Sequence, residues 1–447
     1  MGEQTQARRV PADQGRRREF AVQVVRGLRD AGHQALWAGG CVRDLLIGLT
    51  PSDYDVATDA PPERVMQIFR RTVPVGVSFG VVKVIGPRGA GEVEVATFRS
   101  DGAYIDGRRP ESVVFSSPEE DASRRDFTIN GMFFDPISEA IIDYVGGKED
   151  LDRGLLRAIG DPAARFKEDK LRLVRAVRFA ARFGLRIEPE TEAALRAMAP
   201  EITVVAAERI AQELRRMLVH PSRSAAMRVL MDFGLAAVIV PELLCLVGVP
   251  AGVAARPDRD RWEQTLAVID ALPHDPSFGL ALAGLFCEVG RGATGSDPVE
   301  ALDRAADRLK FANVERDAAR WLVSHHAALV EPKSLPVARL KRLLAEPGIA
   351  ELLALHRAAA EAADLPIGHV SFCEQYLRDE PDGPIRPVPL IDGNDLKAMG
   401  LRPGPAFKQW LDRSYDAQLE GKVANQGEAI AWLRRQIEAD GSGSASI

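Results

Sequence analysis

Apolar positions along the chain fall into two regimes. Phe20, Val24, Val25 and Leu28 recur at three- and four-residue spacing and stop at Gly32, which predicts an amphipathic helix. Ala35-Leu36-Trp37-Ala38 then reads as a short strand. A Gly-Gly turn follows, then a helix over Val42 to Ile47 and a second strand around Tyr54-Asp55-Val56. Gly80 to Gly86 and Glu92 to Phe98 alternate at period two across the Gly-rich turn Pro87 to Gly91, and Asp143 to Gly147 closes the region. These elements predict an α+β unit on a small mixed sheet. After Gly160 the pattern is nearly all helical, from Arg165 to about Ile437, with Pro/Gly breaks near 220, 241–257, 273–276 and 381–389. The most apolar stretch, Leu235 to Ala255, is interrupted by Pro241, Glu242 and Pro250, so it reads as buried helix ends and a loop, not a membrane span. No repeat of fixed period is present.

Composition narrows the options. At about 150 residues per domain, 447 residues suggest several packed units. The hydrophobic share of 46% and charged share of 27% favour a globular chain over a disordered one. A net charge of −6 argues against a uniformly basic nucleic-acid coat, so any RNA or DNA partner must meet a local basic stripe. Cys41, Cys245, Cys287 and Cys373 lie far apart, which excludes a zinc ribbon or disulfide framework and fits a reducing compartment, the cytoplasm. The polar, basic N-terminus lacks the apolar core of a secretory signal.

Two short segments carry candidate chemistry. In Gly39-Gly40-Cys41-Val42-Arg43-Asp44, the glycines let backbone approach a ligand, the helix start offers N–H groups to phosphate and Arg43 adds a cation. The same residues also serve as a plain tight turn. In Ser52-Asp53-Tyr54-Asp55, residues i and i+2 of a strand would set two carboxylates side by side. Such a pair repels itself without a cation between, and Mg²⁺ takes a few carboxylates together with substrate phosphates. A turn with solvated acids is the structural alternative.

GGCVRD, SDYDVAT, RRDFTING at Arg124 to Gly131 and EDKLR at Glu168 to Arg172 occur in order over residues 35 to 215. Together they resemble the class II tRNA nucleotidyltransferase and bacterial poly(A) polymerase family. The resemblance implies a polymerase-β-like nucleotidyltransferase head over 19–147, after a disordered basic tail over 1–18. An all-α remainder would follow: a nucleotide-selecting, RNA-binding neck over 148–222, a body over 223–330, an RNA-binding tail domain over 331–437 and a disordered end over 438–447. It further implies that Asp53 and Asp55 hold Mg²⁺ and that Gly39, Gly40 and Arg43 meet the triphosphate. Arg125, Asp126 and Asn130 would meet the sugar and phosphates. Glu94 is either a third catalytic carboxylate or part of a solvated strand face.

The neck also speaks through its charge. Arg165 to Arg186 carries eight cations against Glu168 and Asp169, and Arg172, Arg175, Arg178, Arg182 and Arg186 form one helical stripe suited to a polyanion. Asp169 and Arg172, at i and i+3, would project an acceptor and a donor together. Cytosine and adenine both pair an exocyclic amine with a ring-nitrogen acceptor, an order that uracil and guanine reverse. The pair therefore fits C and A. Lys170 stands where relatives often carry Pro, which bears on the helix start.

Val75 to Gly80 and Phe98 to Pro110 are similar to the CCA-adding branch, the second being the loop that adding the terminal A is thought to require. The expected activity is addition of CCA, or its terminal A, to the tRNA 3′ end from CTP and ATP by two-metal nucleotidyl transfer, with no DNA and no membrane as partners. A poly(A) polymerase using ATP is the alternative. Trp262 to Leu266 and Leu280 to Gly290 look like helices of an HD-type phosphohydrolase, but Gln264, Cys287 and Glu288 replace its His and His-Asp ligands, so the region is expected to be scaffold. Gly393-Asn394-Asp395-Leu396 and the Gly400 to Pro405 loop resemble the family's tail, where Arg402 and Lys408 would lie near an RNA phosphate; a plain chain reversal is the structural alternative.

Overall fold

The computed structural model describes residues 12–76, 79–101, 113–253, 255–290 and 297–442. The chain divides into two compact units, one built from residues up to Met217 together with Ala225–Pro241, the other from Leu218–Ser224 and Glu242 onward.

The first unit opens with α1 (Ala12–Asp30), β1 (Ala35–Ala38), α2 (Gly40–Leu46), β2 (Asp55–Thr58) and α3 (Pro62–Ile68). Strands β3 (Thr72–Gly76), β4 (Val81–Ile85), β5 (Glu92–Thr97), β6 (Arg99–Asp101) and β7 (Val113–Phe115) follow. Next come α4 (Pro118–Ser123), β8 (Phe133–Asp135), β9 (Ala140–Ile142), α5 (Gly147–Asp152), β10 (Leu155–Leu156) and α6 (Pro162–Glu168). The rest is α7 (Leu171–Phe183), β11 (Arg186–Ile187), α8 (Pro189–Met198), α9 (Ala207–Leu218), α10 (Arg223–Asp232) and α11 (Ala236–Ile239). Seven strands form a mixed sheet in the order β3-β4-β5-β2-β1-β8-β9. β1 is antiparallel to β2 and to β8, whereas β2 runs parallel to β5.

Both faces of β1 are buried, and its residues divide by parity. Ala35 and Trp37 join Val56 and the α1 residues Ala21, Val24, Val25 and Leu28 in one core, while Leu36 and Ala38 join Ala57, Phe98 and Phe133 in the other. The amphipathic helix and the α+β sheet expected from the sequence are therefore present.

Several boundaries differ from expectation. Helix α1 begins at Ala12, so the tail expected over 1–18 is helical from there onward; Arg17 donates to the Ser52 carbonyl at 3.0 Å. At the other end, α21 (Gln426–Ser442) runs into the segment expected to lack structure after 437. The region expected to be all helical contains the strands β10 and β11, which pair in parallel. Lys170 precedes α7 with φ −65°, a value proline also adopts, and its Nζ lies 2.7 Å from Glu201. Of the loop expected over Phe98 to Pro110, residues 102–110 lie outside the described residues, as do Val77 and Ser78.

The second unit is helical among its described residues, from α12 (Arg261–Asp270) and α13 (Phe278–Phe286) to α19 (Gly393–Ala398), α20 (Pro405–Leu419) and α21. Gln264 is buried and accepts from Arg259 at 3.0 Å, Glu288 is paired with Arg261 at 3.0 Å and the Cys287 thiol donates to the Gly284 carbonyl. The residues standing at the HD-type ligand positions are thus tied to neighbouring arginines and backbone. The Gly393 to Leu396 segment has a local structural account: Asp392 and Asp395 cap α19 reciprocally. Arg402 and Lys408 are exposed.

Candidate active site

Three chain segments meet at one end of the sheet. β1 feeds Gly39, whose φ of 71° lies in the left-handed region that glycine tolerates. A side chain there would also strike Arg125, at 2.8 Å from an added Cβ. The Gly39 N–H donates to the Met132 carbonyl, which ties this turn to the segment after Asn130. β2 begins at Asp55, beside the turn. Asp53 precedes the strand in a bend, so the period-two argument places Asp55 but not Asp53.

A cleft of about 740 Å³ opens here. Its lining includes Gly39, Gly40, Arg43, Asp55, Arg125, Asp126, Asn130, Asp169, Arg172, Arg175 and Arg178, so one pocket gathers these residues from α2, β2 and α7 and the loops between. Asp53 and Glu94 are not in that lining. Asp53 borders a smaller recess beside Arg17 and Glu92, and Glu94 faces Asp55 in register across the parallel β2–β5 pair. Among the described residues, no three His, Cys, Asp or Glu side chains converge to hold a metal ion by themselves.

Electrostatics distinguish the acids. Surrounding protein mass first, then the negative charges of Glu94 and Asp53, push the Asp55 carboxyl up to about 6, against an opposing pull from Arg125. Asp126 goes the other way. Burial disfavours its charge, but Arg175 at 2.6 Å, Asn130 at 3.0 Å and the Phe127 N–H outweigh that and bring it to about 2. The Cys41 thiol beside this turn is buried and pushed up to about 12, too high for a nucleophile near neutral pH.

Many of the neck arginines have acidic partners. Arg165 and Arg172 both bond Glu168, Arg175 bonds Asp126, and Arg178 bonds Glu213. Arg182 and Arg186 are exposed. The local excess of cations in the sequence therefore overstates the bare charge, because Asp126 and Glu213 arrive from other segments. Asp169 and Arg172 both line the cleft, yet they do not pair. Asp169 accepts from Arg209 at 2.7 and 3.2 Å and from the Leu171 N–H at 3.0 Å. Arg172 donates to Glu168 and to the carbonyls of Arg165 and Arg124.

Two residues at the site escaped the sequence reading. Arg209, on α9, reaches Asp169 across forty positions, and no spacing signal links them. Asp121 is 1% exposed and accepts from Arg124 at 2.7 Å, from Arg125 at 2.9 Å and from the Arg99 N–H, which fixes both arginines of the RRDFT segment. Its place in α4, three residues before that segment, was the available clue.

A mixed sheet that presents a strand-end carboxylate and a Gly-Gly turn to a cleft walled by eight arginines makes the first unit a nucleotidyltransferase head. Residues 35–157 match a family model described as "Poly A polymerase head domain", and residues 184–246 match "Probable RNA and SrmB- binding site of polymerase A". A CCA-adding enzyme of Geobacillus stearothermophilus is 34% identical over 418 residues, covering 92% of this chain and 96% of that one. One from Geobacillus thermodenitrificans is 43% identical over 216 residues, and there this chain spans about half of the relative, 53%. The crystal structure of the Bacillus stearothermophilus CCA-adding enzyme in complex with CTP superposes with a TM-score of 0.75 at 28% identity, covering 96% of this chain and 99% of that chain. The chain belongs to the CCA-adding enzyme family.

Proposed function

We propose that this protein adds C and A to the 3′ end of tRNA from CTP and ATP. The observation that carries the reading is the single cleft that joins Asp55, the Gly39-Gly40 turn and the Asp169/Arg172 segment, in a chain alignable along 92% of its length with a CCA-adding enzyme.

Asp53 and Asp55 are the ligands we assign to Mg²⁺. The fit rests on donor chemistry: hard carboxylate oxygens, with Asp55 facing Glu94 in register and its charge disfavoured until a cation arrives. When bound, the ions would lower the pKa of the attacking 3′ hydroxyl and neutralise charge on the transferring phosphate. Gly40 and Arg43 receive the triphosphate through a backbone N–H and a guanidinium, while Gly39, whose own N–H is committed to Met132, lets the chain approach it closely. Arg125 and Asn130 meet the sugar and phosphates, while Asp126 keeps Asn130 and Arg175 in place by accepting from both. Asp169 accepts from the exocyclic amine of C or A, and Arg172 donates to the adjacent ring nitrogen. Three of the five Arg172 N–H groups are used in the bonds described above. A uracil or guanine edge would leave both groups mispaired in the cleft, which costs ~1–3 kcal/mol each.

No helix among the described residues is long and apolar enough to cross a membrane. None of the four cysteines is in a disulfide, which suits a reducing compartment, the cytoplasm.

The test uses purified protein, tRNA transcripts lacking one, two or three terminal nucleotides, and single or mixed nucleoside triphosphates with Mg²⁺. Addition that stops at CCA, with CTP and ATP accepted and UTP and GTP refused, is expected. Long A tracts on any RNA end would favour a poly(A) polymerase instead.

A further inference from the structure

The arginine next to the Gly-Gly turn is held by aromatic rings of the neck. Asp44 bonds the edge of the Arg43 guanidinium at 3.0 and 2.7 Å, and Asn130 accepts from its Nη1. The Arg43 Cζ also lies 4.2 Å from the ring centre of Phe183 and 5.3 Å from that of Phe179. The two rings sit one turn apart on α7, nearly parallel at 18°. The same pair of rings receives Arg178 at 4.2 Å, Arg175 at 5.2 Å and Arg182 at 5.2 Å.

Three of the four guanidinium groups are paired with carboxylates, Arg43 with Asp44, Arg175 with Asp126 and Arg178 with Glu213. The negative ring faces add to this, and they hold a guanidinium plane without cancelling its charge. The bonds just named use three of the five Arg43 N–H groups. The Gly40 backbone lies beside Nη2, since a Cβ added there would be 3.5 Å away. The rings therefore fix the plane in which the rest of the fork meets the cleft.

We propose that Phe183, together with Phe179, is a positioning residue that aims Arg43 at the triphosphate, so that the neck sets phosphate affinity equally for CTP and ATP. This rests on the assignment of Arg43 to the triphosphate. It differs from base selection, because the contact touches no group that faces a base edge.

Phe183→Leu keeps apolar bulk and removes the ring. The measurements are kcat and KM for CTP and ATP on matching tRNA ends, and inhibition by inorganic pyrophosphate, which has no base. The expected result is a rise in both KM values and in the pyrophosphate inhibition constant by roughly 5- to 30-fold, the range of a desolvated cation–π contact. kcat and the refusal of UTP should barely change, and Phe183→Tyr or Phe183→Trp should restore affinity. Arg43→Ala is the reference variant. If it weakens pyrophosphate and Phe183→Leu does not, the positioning role is overturned while the Arg43 assignment stands. If Arg43→Ala itself leaves pyrophosphate binding intact, the assignment fails and the proposal with it. Phe183→Met, read in the same way, replaces the leucine variant should that one not fold.

Discussion

Arg209 holds Asp169 by a forked contact, its Nη1 and Nη2 lying 3.2 and 2.7 Å from the two carboxylate oxygens. Arg172 turns away from that carboxylate to Glu168. The direction of the acceptor that we assign to base reading is therefore set from α9 together with the Leu171 N–H, and not by Arg172.

Arg209→Ala should leave Asp169 held by the Leu171 N–H alone, with its second oxygen released. Discrimination of CTP over UTP in kcat/KM should fall about 10- to 100-fold, in line with ~1.5–3 kcal/mol for a charged hydrogen bond, with a smaller loss in Arg209→Lys. Equal losses for all four nucleotides would mean that Arg209 serves the phosphates.

Asp121→Ala removes the carboxylate that Arg124 and Arg125 share beside the cleft. Stability should drop on the order of 3 kcal/mol in urea unfolding, and KM for nucleotide should rise in parallel. A variant with unchanged unfolding midpoint would show that the two arginines find other partners.

Asp126 gives a pH signature. Its folded value of about 2 lies below the ordinary aspartate value of 3.8, so the ionised, Arg175-bound form stabilises the fold above about pH 4, and the benefit is lost as pH falls toward 2. The gap in Tm between wild type and Asp126→Asn should be constant from pH 8 to 5 and should shrink below 4. A gap that persists at pH 2.5 would assign the effect to shape and not to charge.

Asp55 predicts the opposite sign. With a folded value of about 6, its charge opposes folding above that pH when no metal is bound. Asp55→Asn should abolish nucleotide addition yet raise the Tm of the metal-free protein at pH 8, and the gain should fade as pH drops from 6 to 4. Near wild-type turnover in this variant would sink the metal assignment.

Glu288→Gln tests the helical body. It breaks the pair with Arg261, so stability should fall by about 2–4 kcal/mol while nucleotide addition per folded molecule stays unchanged. The Asp53→Ala protein should show no metal-stimulated phosphatase activity. Its appearance would reinstate the HD-type reading.

The sheet was legible at β4 and β5, where glycines and period-two alternation coincide, and at β1, a short apolar run ended by a Gly-Gly turn. It was illegible at β3, where Pro74 sits on an edge strand, and at β10 and β11, whose two residues each are too short for any period. The site followed the same rule. The cleft residues of the Gly-Gly, RRDFT and EDKLR segments could be read from the order of motifs, because each segment is contiguous. Partnerships such as Arg209 with Asp169, Arg178 with Glu213 and Phe183 with Arg43 join segments tens to well over a hundred positions apart. Local spacing carries no record of them, and for that reason the neck reads in sequence as a bare cationic stripe and the hold of Arg209 on Asp169 goes unseen.

The four residues of β1 have a consequence for how this protein can change. Trp37 is registered with Val56 on one side and with Phe134 on the other, so the strand is the common ruler from which the carboxylate strand and the segment after Asn130 both take their position. An insertion or deletion of one residue between Ala35 and Ala38 would displace the Gly-Gly turn against both neighbours and exchange the two cores. A compensating change in either neighbour alone would mend only one alignment. Length variation should therefore be tolerated in the connections around the head but not in this strand, and repair of a lesion there would need two further, simultaneous shifts.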